Sequence, residues 1–289
     1  MGADRYVRFH YDNDFFTAID LDYTQGYTFE IALPWLIKNP VNYILIKPVA
    51  ATSKYVLSFE QTGFTPADIT APEILYGDRP YAATIALKSA VIATDTVRKS
   101  RLTTSFTAGM TGPAAFGNEM QTGIHKWIDD DLPQGWTHQI RNDVIADYEL
   151  AFEKQLLDAG NIMLLSSYTK LRAGTLATNA ATGVTLVAGL FDSPFGALKA
   201  SRNFQAYAYT QAAATIVGYD ATLQGGIFNN SSPYTITPGD MERFTLQNHF
   251  GIILRYKALY LEYSRAMLSR EYKAGHSHKL GGFRIGFTI

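Results

Sequence analysis

Arg243-Phe244-Thr245-Leu246-Gln247-Asn248-His249-Phe250-Gly251-Ile252-Ile253-Leu254-Arg255-Tyr256 reads in steps of two. Successive side chains of a strand point to opposite faces. Phe244, Leu246, Phe250, Ile252, Leu254 and Tyr256 therefore share one side, and Thr245, Gln247, His249 and Gly251 share the other. The end of the chain repeats the pattern: Phe283, Ile285, Phe287 and Ile289 lie on one face, Arg284, Gly286 and Thr288 on the opposite one. One greasy face and one small or polar face is what a lipid-facing barrel strand requires. A strand of a soluble sandwich has the same period, so the pattern fixes strands before it fixes the membrane.

Composition takes the next step. Of 289 residues, 18% are charged, below the usual quarter or so of a soluble domain, while 13% are aromatic, with 18 Tyr and 17 Phe. That balance leans away from the cytosol. The net charge of −1 lacks the basic excess a nucleic-acid partner needs. With no cysteine there is no disulfide framework, thiolate metal site or cysteine nucleophile. No apolar run approaches the 18 or so residues of a membrane helix, and 23 Gly and 11 Pro interrupt the chain. The remaining structure that satisfies its backbone in lipid is a closed barrel. The start Met1-Gly2-Ala3-Asp4 does not read as a secretory signal, so an outer-membrane reading expects a mature chain with a replacement start.

Candidate strands run over 3–11, 25–35, 54–61, 81–93, 101–111, 139–156, 162–173, 183–191, 204–217, 243–256, 259–268 and 279–289. About twelve is an even number, as a single-chain bacterial barrel demands. The fold class expected is therefore all-β: a transmembrane antiparallel β-barrel with short helices in its loops, residues 1–289 forming one domain without repeats or linkers. With the N-terminus in the periplasm, the tight turns 158–161 and 257–258 and the link 192–202 fall on the periplasmic side. The long segments 12–24, 62–80, 112–138 and 218–242 fall outside. The link 34–53 is long on the short side, and a small helix is expected there.

Two loops carry chemistry-bearing residues. The first opens with Asp12-Asn13-Asp14 and closes with Asp20-Leu21-Asp22-Tyr23-Thr24. This concentration of carboxylate, amide and hydroxyl oxygen suits a hard cation such as Ca²⁺. It also suits plain turn chemistry, since Asn and Asp bond their own backbone, and the spacing is not an EF-hand. The third loop reads as a short helix from Asn118, with Asn118 as its N-cap and Gln121 and His125 one turn apart on a shared face. His is the side chain suited to take a proton from water near neutral pH, and Asp129, Asp130 and Asp131 follow as groups able to orient it. A surface His on a loop helix reads the same way. Serine catalysis has no local support: a G-x-S-x-G elbow is absent, and Ser277 is the lone serine beside histidines. His276-Ser277-His278 is expected to be an exposed turn.

In order, Asn13-Asp14-Phe15-Phe16, Asp22-Tyr23-Thr24-Gln25-Gly26, Phe64-Thr65-Pro66-Ala67-Asp68-Ile69, Asp78-Arg79-Pro80-Tyr81-Ala82, Gly112-Pro113-Ala114-Ala115, 121–125, Pro133-Gln134-Gly135-Trp136 with Gln139, and Ser269-Arg270-Glu271-Tyr272 span almost the whole chain. Together they resemble the outer-membrane lipid A 3′-O-deacylases of the LpxR type. The resemblance implies a twelve-stranded barrel in the bacterial outer membrane, its site toward the outer leaflet, and a calcium-dependent esterase acting on the acyloxyacyl anchor of lipopolysaccharide. It implies Asn13 and Asp14 as the cation pair, Thr24 as the hydroxyl at the foot of the same loop, Gln121 as a site residue and His125 as general base. Asp131 stands where the family commonly has Glu, Gln25 where it has Asn, and Ala83 where it has Gly. The implied partners are lipid A and the surrounding outer-membrane lipids, with the chain a monomer. Two other readings stay open: a barrel phospholipase acting on other membrane lipids, and an inactive barrel serving structure or transport.

Overall fold

In the computed structural model, which describes residues 5–13, 25–49, 51–160, 162–196 and 202–289, twelve strands close on themselves. They are β1 (Tyr6–Asn13), β2 (Gln25–Ala32), β3 (Thr52–Phe64), β4 (Ala82–Asp95), β5 (Ser100–Thr111), β6 (Asp143–Asp158), β7 (Met163–Gly174), β8 (Ala177–Leu190), β9 (Phe204–Asp220), β10 (Phe244–Tyr256), β11 (Leu259–Leu268) and β12 (His278–Thr288). Each pairs antiparallel with its sequence neighbour, and β1 closes the ring on β12 with Tyr6 opposite Thr288. Closure leaves no strand edge unpaired, the condition for crossing lipid. Among the described residues no helix is long and apolar enough to cross a membrane.

Register carries two opposite faces around the wall. Ile285 stands beside Phe9, Phe9 beside Phe29, Phe29 beside Phe59, and Phe59 beside Leu87. This row is the outer face, where Phe29, Phe59, Leu87 and Ile285 are all exposed. The adjacent row, Arg284, His10, Thr28, Glu60 and Ala86, faces the lumen. The expected outward set of β10 holds, with Phe244, Leu246, Phe250, Ile252, Leu254 and Tyr256 exposed. Every expected strand is present. The largest difference is at β8, which starts at Ala177 rather than near 183, because Ala177-Thr178-Asn179-Ala180-Ala181-Thr182 has no large apolar side chain to mark its outer face.

The lumen's charges are paired across the barrel. Glu262 accepts from Tyr209 (2.7 Å), Tyr260 (2.5 Å) and Arg284 (2.9 Å). Glu149 lies between Lys88 and Lys170, at 3.7 and 4.0 Å. Asp147 takes Arg172 at 2.6 Å and the amides of Leu176 and Ala177, tying down the turn between β7 and β8. At the short-turn end Phe191 and Phe195 pack against Leu164, with Arg101 over the Phe195 ring. The link between β2 and β3 holds two 3₁₀ turns, Pro34–Lys38 and Pro40–Tyr43, so the expected small helix is there in tighter form.

Candidate active site

The third long loop leaves β5 through Gly112, whose φ of 85° sends the chain back toward the wall. A 3₁₀ turn, Pro113–Ala115, follows, and then helix α1, Gly117–Ile128. The expected N-cap is corrected here: the capping position is Phe116, at φ 57°, so Asn118 lies inside the first turn and its side chain accepts from Thr122 at 3.2 Å. The shared face is as expected. Gly117, Gln121 and His125 are the buried residues of α1, as spacings of four along a helix dictate.

What buries them is the outside of the barrel. On β3, Gln61 and Gly63 share the outer face with Phe59, and on β4, Ala83 and Ile85 share it with Leu87. Gln61 Nε2 donates to the Ala115 carbonyl at 3.3 Å, and Ala83, Ala115, Tyr81 and Trp136 form one apolar cluster with Ile85 against it. The fit is close. A Cβ at Gly117 would come within 2.5 Å of the Trp136 ring and 2.6 Å of the Ala83 Cβ. The methyl of Ala83, where the family commonly has Gly, is thus accommodated by the missing side chain at 117. Tyr81 donates to the Ile69 carbonyl at 3.1 Å. Burial pushes its phenol up to about 12, so it stays neutral.

At the end of α1, Asp129 turns left-handed at φ 59° and the amide of Asp130 bonds back to the His125 carbonyl. The turn brings Asp131 under the imidazole. His125 Nδ1 donates to the Asp131 main-chain carbonyl at 2.5 Å, while the side chain of Asp131 is exposed. The nearest carboxylate belongs to Asp130, at 4.0 Å from Nδ1. A carbonyl oxygen can only accept, so this bond places the ring proton on Nδ1 and leaves Nε2 as the basic atom. Asp131 therefore meets the ring through its backbone, which makes the Glu-to-Asp departure tolerable at that contact.

Gln121 is fixed by a residue to which the sequence assigned no role: Trp136 Nε1 donates to Gln121 Oε1 at 2.7 Å. With its oxygen thus occupied, the Gln121 amide nitrogen is buried and has no partner among the described residues. Gln25 Nε2 and Gln61 Oε1 are buried and unpartnered in the same way, on the same stretch of outer wall, since Gln25 pairs in register with Gly63 and Gln61 with Tyr27. A buried polar atom left unpaired costs about 1–3 kcal/mol, so three on one surface call for partners beyond the described residues.

Asn13 ends β1 on the outer face, two and four residues beyond Tyr11 and Phe9. Its amide nitrogen donates to the Tyr11 hydroxyl at 3.0 Å. Asp14 and Thr24 lie outside the described residues. Among the described residues no cluster of three His, Asp or Glu could hold a metal. The donor set Asn13, Asp14 and Thr24 is all oxygen, which fits Ca²⁺ in chemistry.

Two of the recurring motifs find each other instead of the site. Arg79 pairs with Glu271 at 2.5 Å and donates to Thr222 at 2.9 Å, and Tyr272 donates to Asp78 at 3.1 Å. Asp78-Arg79 and Glu271-Tyr272 thus clamp the second and last long-end loops together. In the tract 276–278, His276 is exposed as expected, but His278 is buried and opens β12 opposite Leu268, so its half of the turn is strand.

No curated protein matches the chain in sequence. The structure of LpxR from Salmonella typhimurium superposes with a TM-score of 0.79 at 18% identity, over 98% of this chain and all of that one. The beta domain of the Bordetella autotransporter BrkA superposes with a TM-score of 0.50 at 8% identity, over the whole of both chains. These likenesses concern the fold. The family described as Outer membrane protein LpxR matches residues 2–289. The chain belongs to the LpxR family of outer membrane proteins.

Proposed function

We propose that this protein is a calcium-dependent lipid A 3′-O-deacylase, hydrolysing the ester-linked 3′ acyloxyacyl group of lipopolysaccharide in the outer leaflet. The observation that carries the reading is where His125 sits. Its Nδ1 is anchored by a carbonyl, its Nε2 is left as base, and the helix bearing it lies against the lipid-facing side of the wall rather than in the lumen. A substrate reaches that surface by lateral diffusion in the leaflet. A lipid ester near its headgroup is the natural candidate.

The long loops are taken to face outward, so that this surface meets the leaflet holding lipid A. His125 Nε2 withdraws a proton from a water as it attacks the ester carbonyl, and the Asp131 carbonyl keeps the ring in the required tautomer and steadies the imidazolium that forms. The Gln121 amide, held by Trp136, turns its N–H toward the reacting group. Asn13, Asp14 and Thr24 would hold Ca²⁺, which when bound polarises the ester carbonyl and stabilises the oxyanion. No covalent intermediate is required.

Mass spectrometry of lipid A from cells expressing the protein tests the reading: loss of one acyloxyacyl group supports it. Intact lipid A beside newly formed lysophospholipid would replace it with the phospholipase reading, and no lipid change would leave a structural barrel. Excess EDTA is expected to abolish hydrolysis, and Asp14→Ala to damage it far more than Asp20→Ala. Full activity in EDTA removes calcium from the scheme.

A further inference from the structure

The link between β2 and β3 does not hang from the barrel's short-turn end; it climbs the outer wall. Asn39 Nδ2 donates to Ser89 Oγ (3.2 Å), Thr104 Oγ1 to the Ile46 carbonyl (2.7 Å), and the Tyr148 hydroxyl to the Ile44 carbonyl (2.8 Å). Ser89 and Val91 share the outer face of β4 with Leu87, and Thr104 and Tyr148 face the same way in register with them. Val91 and Thr104 lie where lipid should touch them, yet both are fully buried. The link covers them.

On its far side the link presents Trp35, Ile37, Tyr43, Ile44, Ile46 and Val49, all exposed, with Tyr43 at 93%. So many large apolar side chains on one water-facing link would be a liability. From Pro34 to Ile44 its backbone is largely closed off as well. Pro34, Pro40 and Pro48 carry no N–H. The amides of Leu36, Asn39, Asn42 and Ile44 bond three residues back, and that of Ile46 bonds the Tyr148 hydroxyl. Asn42 Nδ2 satisfies the carbonyls of Leu36 (2.7 Å) and Ile37 (3.1 Å). Irregular backbone that satisfies itself internally while turning apolar groups outward is what hydrocarbon demands and water does not.

We propose that residues 34–49 form a foot embedded in the lipid leaflet at the short-turn end, seated on the outer wall of β3 to β6 and continuous with the barrel's lipid-facing band. Its occupant is phospholipid. Trp35 sits at the level of the headgroups, as such rings do at membrane interfaces, and Tyr43 reaches below them. Exposed Lys38 reaches their phosphates along its apolar stem. The foot serves anchoring and tilt of the barrel, independently of any hydrolysis on the opposite half of the wall.

The absence of cysteine makes the test direct. Single variants Tyr43→Cys and Val49→Cys are nitroxide-labelled in the full chain, reconstituted into phosphatidylethanolamine and phosphatidylglycerol vesicles, and probed with oxygen and a water-soluble nickel chelate. Leu254→Cys on the outer face gives the lipid reference, and Val97→Cys, exposed in the turn after β4, gives the water reference at the same end. Labels at 43 and 49 are expected to favour oxygen over nickel several-fold more than the label at 97, approaching that at 254. A ratio like that at 97 overturns the foot. Shielding from both reagents also overturns it, showing a protein partner instead, and dipolar broadening would identify that partner as a second copy.

Discussion

Gln205 in the lumen and Gln121 under α1 are equally buried amides held in different ways. In the lumen Gln205, 1% exposed, donates to Asp192 and accepts from the Asp192 amide, so both ends are bonded. On the outer wall under α1, Gln121 is equally buried, yet its nitrogen has no partner among the described residues. The lumen's carboxylates follow Gln205: Glu262, Glu149 and Asp147 each meet opposite charge or several donors. A network that satisfies itself holds a structure together, whereas one that stops short has room for something else. On the proposed reading, the lumen's carboxylate network serves stability and the outer wall under α1 serves the chemistry.

The strongest way to break that division is His125→Asn, which retains a polar side chain but removes the proposed base. Hydrolysis is expected to fall about 10²–10⁴-fold, the usual contribution of general base catalysis, with the barrel still folded by its heat-modifiable gel mobility. Next comes Glu262→Leu on the lumen side. It strands the Arg284 guanidinium and should cost about 3–5 kcal/mol in urea unfolding from liposomes, as broken buried pairs do. Leu254→Arg, on the lipid face, should cost about 2–4 kcal/mol near the bilayer midplane and much less near an interface. Smallest is Gln121→Ala, expected to slow turnover about tenfold, the worth of one neutral hydrogen bond, while leaving the pH profile in place.

Much of this was legible before any coordinates. Period-two patterning marked every strand, since the outer face must be apolar along its length. It failed at the start of β8, where Ala180 and Thr182 offer nothing large to lipid. The spacing of Gln121 and His125 announced one face of one helix. It did not say which surface that face meets, because alternation tells inside from outside without telling what covers either. The Asp131 contact was half visible. A carboxylate near a histidine suggests a side-chain pair, and only the left-handed turn at Asp129, which a non-glycine residue rarely adopts, swings the carbonyl there instead. Gln61 reads as an ordinary strand residue, Gln25 stands out only as a departure from the family's Asn beside the cation loop, and the Arg79 to Glu271 clamp joins positions too far apart for any local pattern.

The most direct test of the division is turnover per folded molecule, measured in one liposome preparation for the pair His125→Asn and Glu262→Leu. The first is expected to unfold at the wild-type urea midpoint with turnover lost, the second to unfold earlier with turnover per folded molecule unchanged. Loss of turnover in folded Glu262→Leu, with His125→Asn still active, would place the chemistry in the lumen and contradict the account.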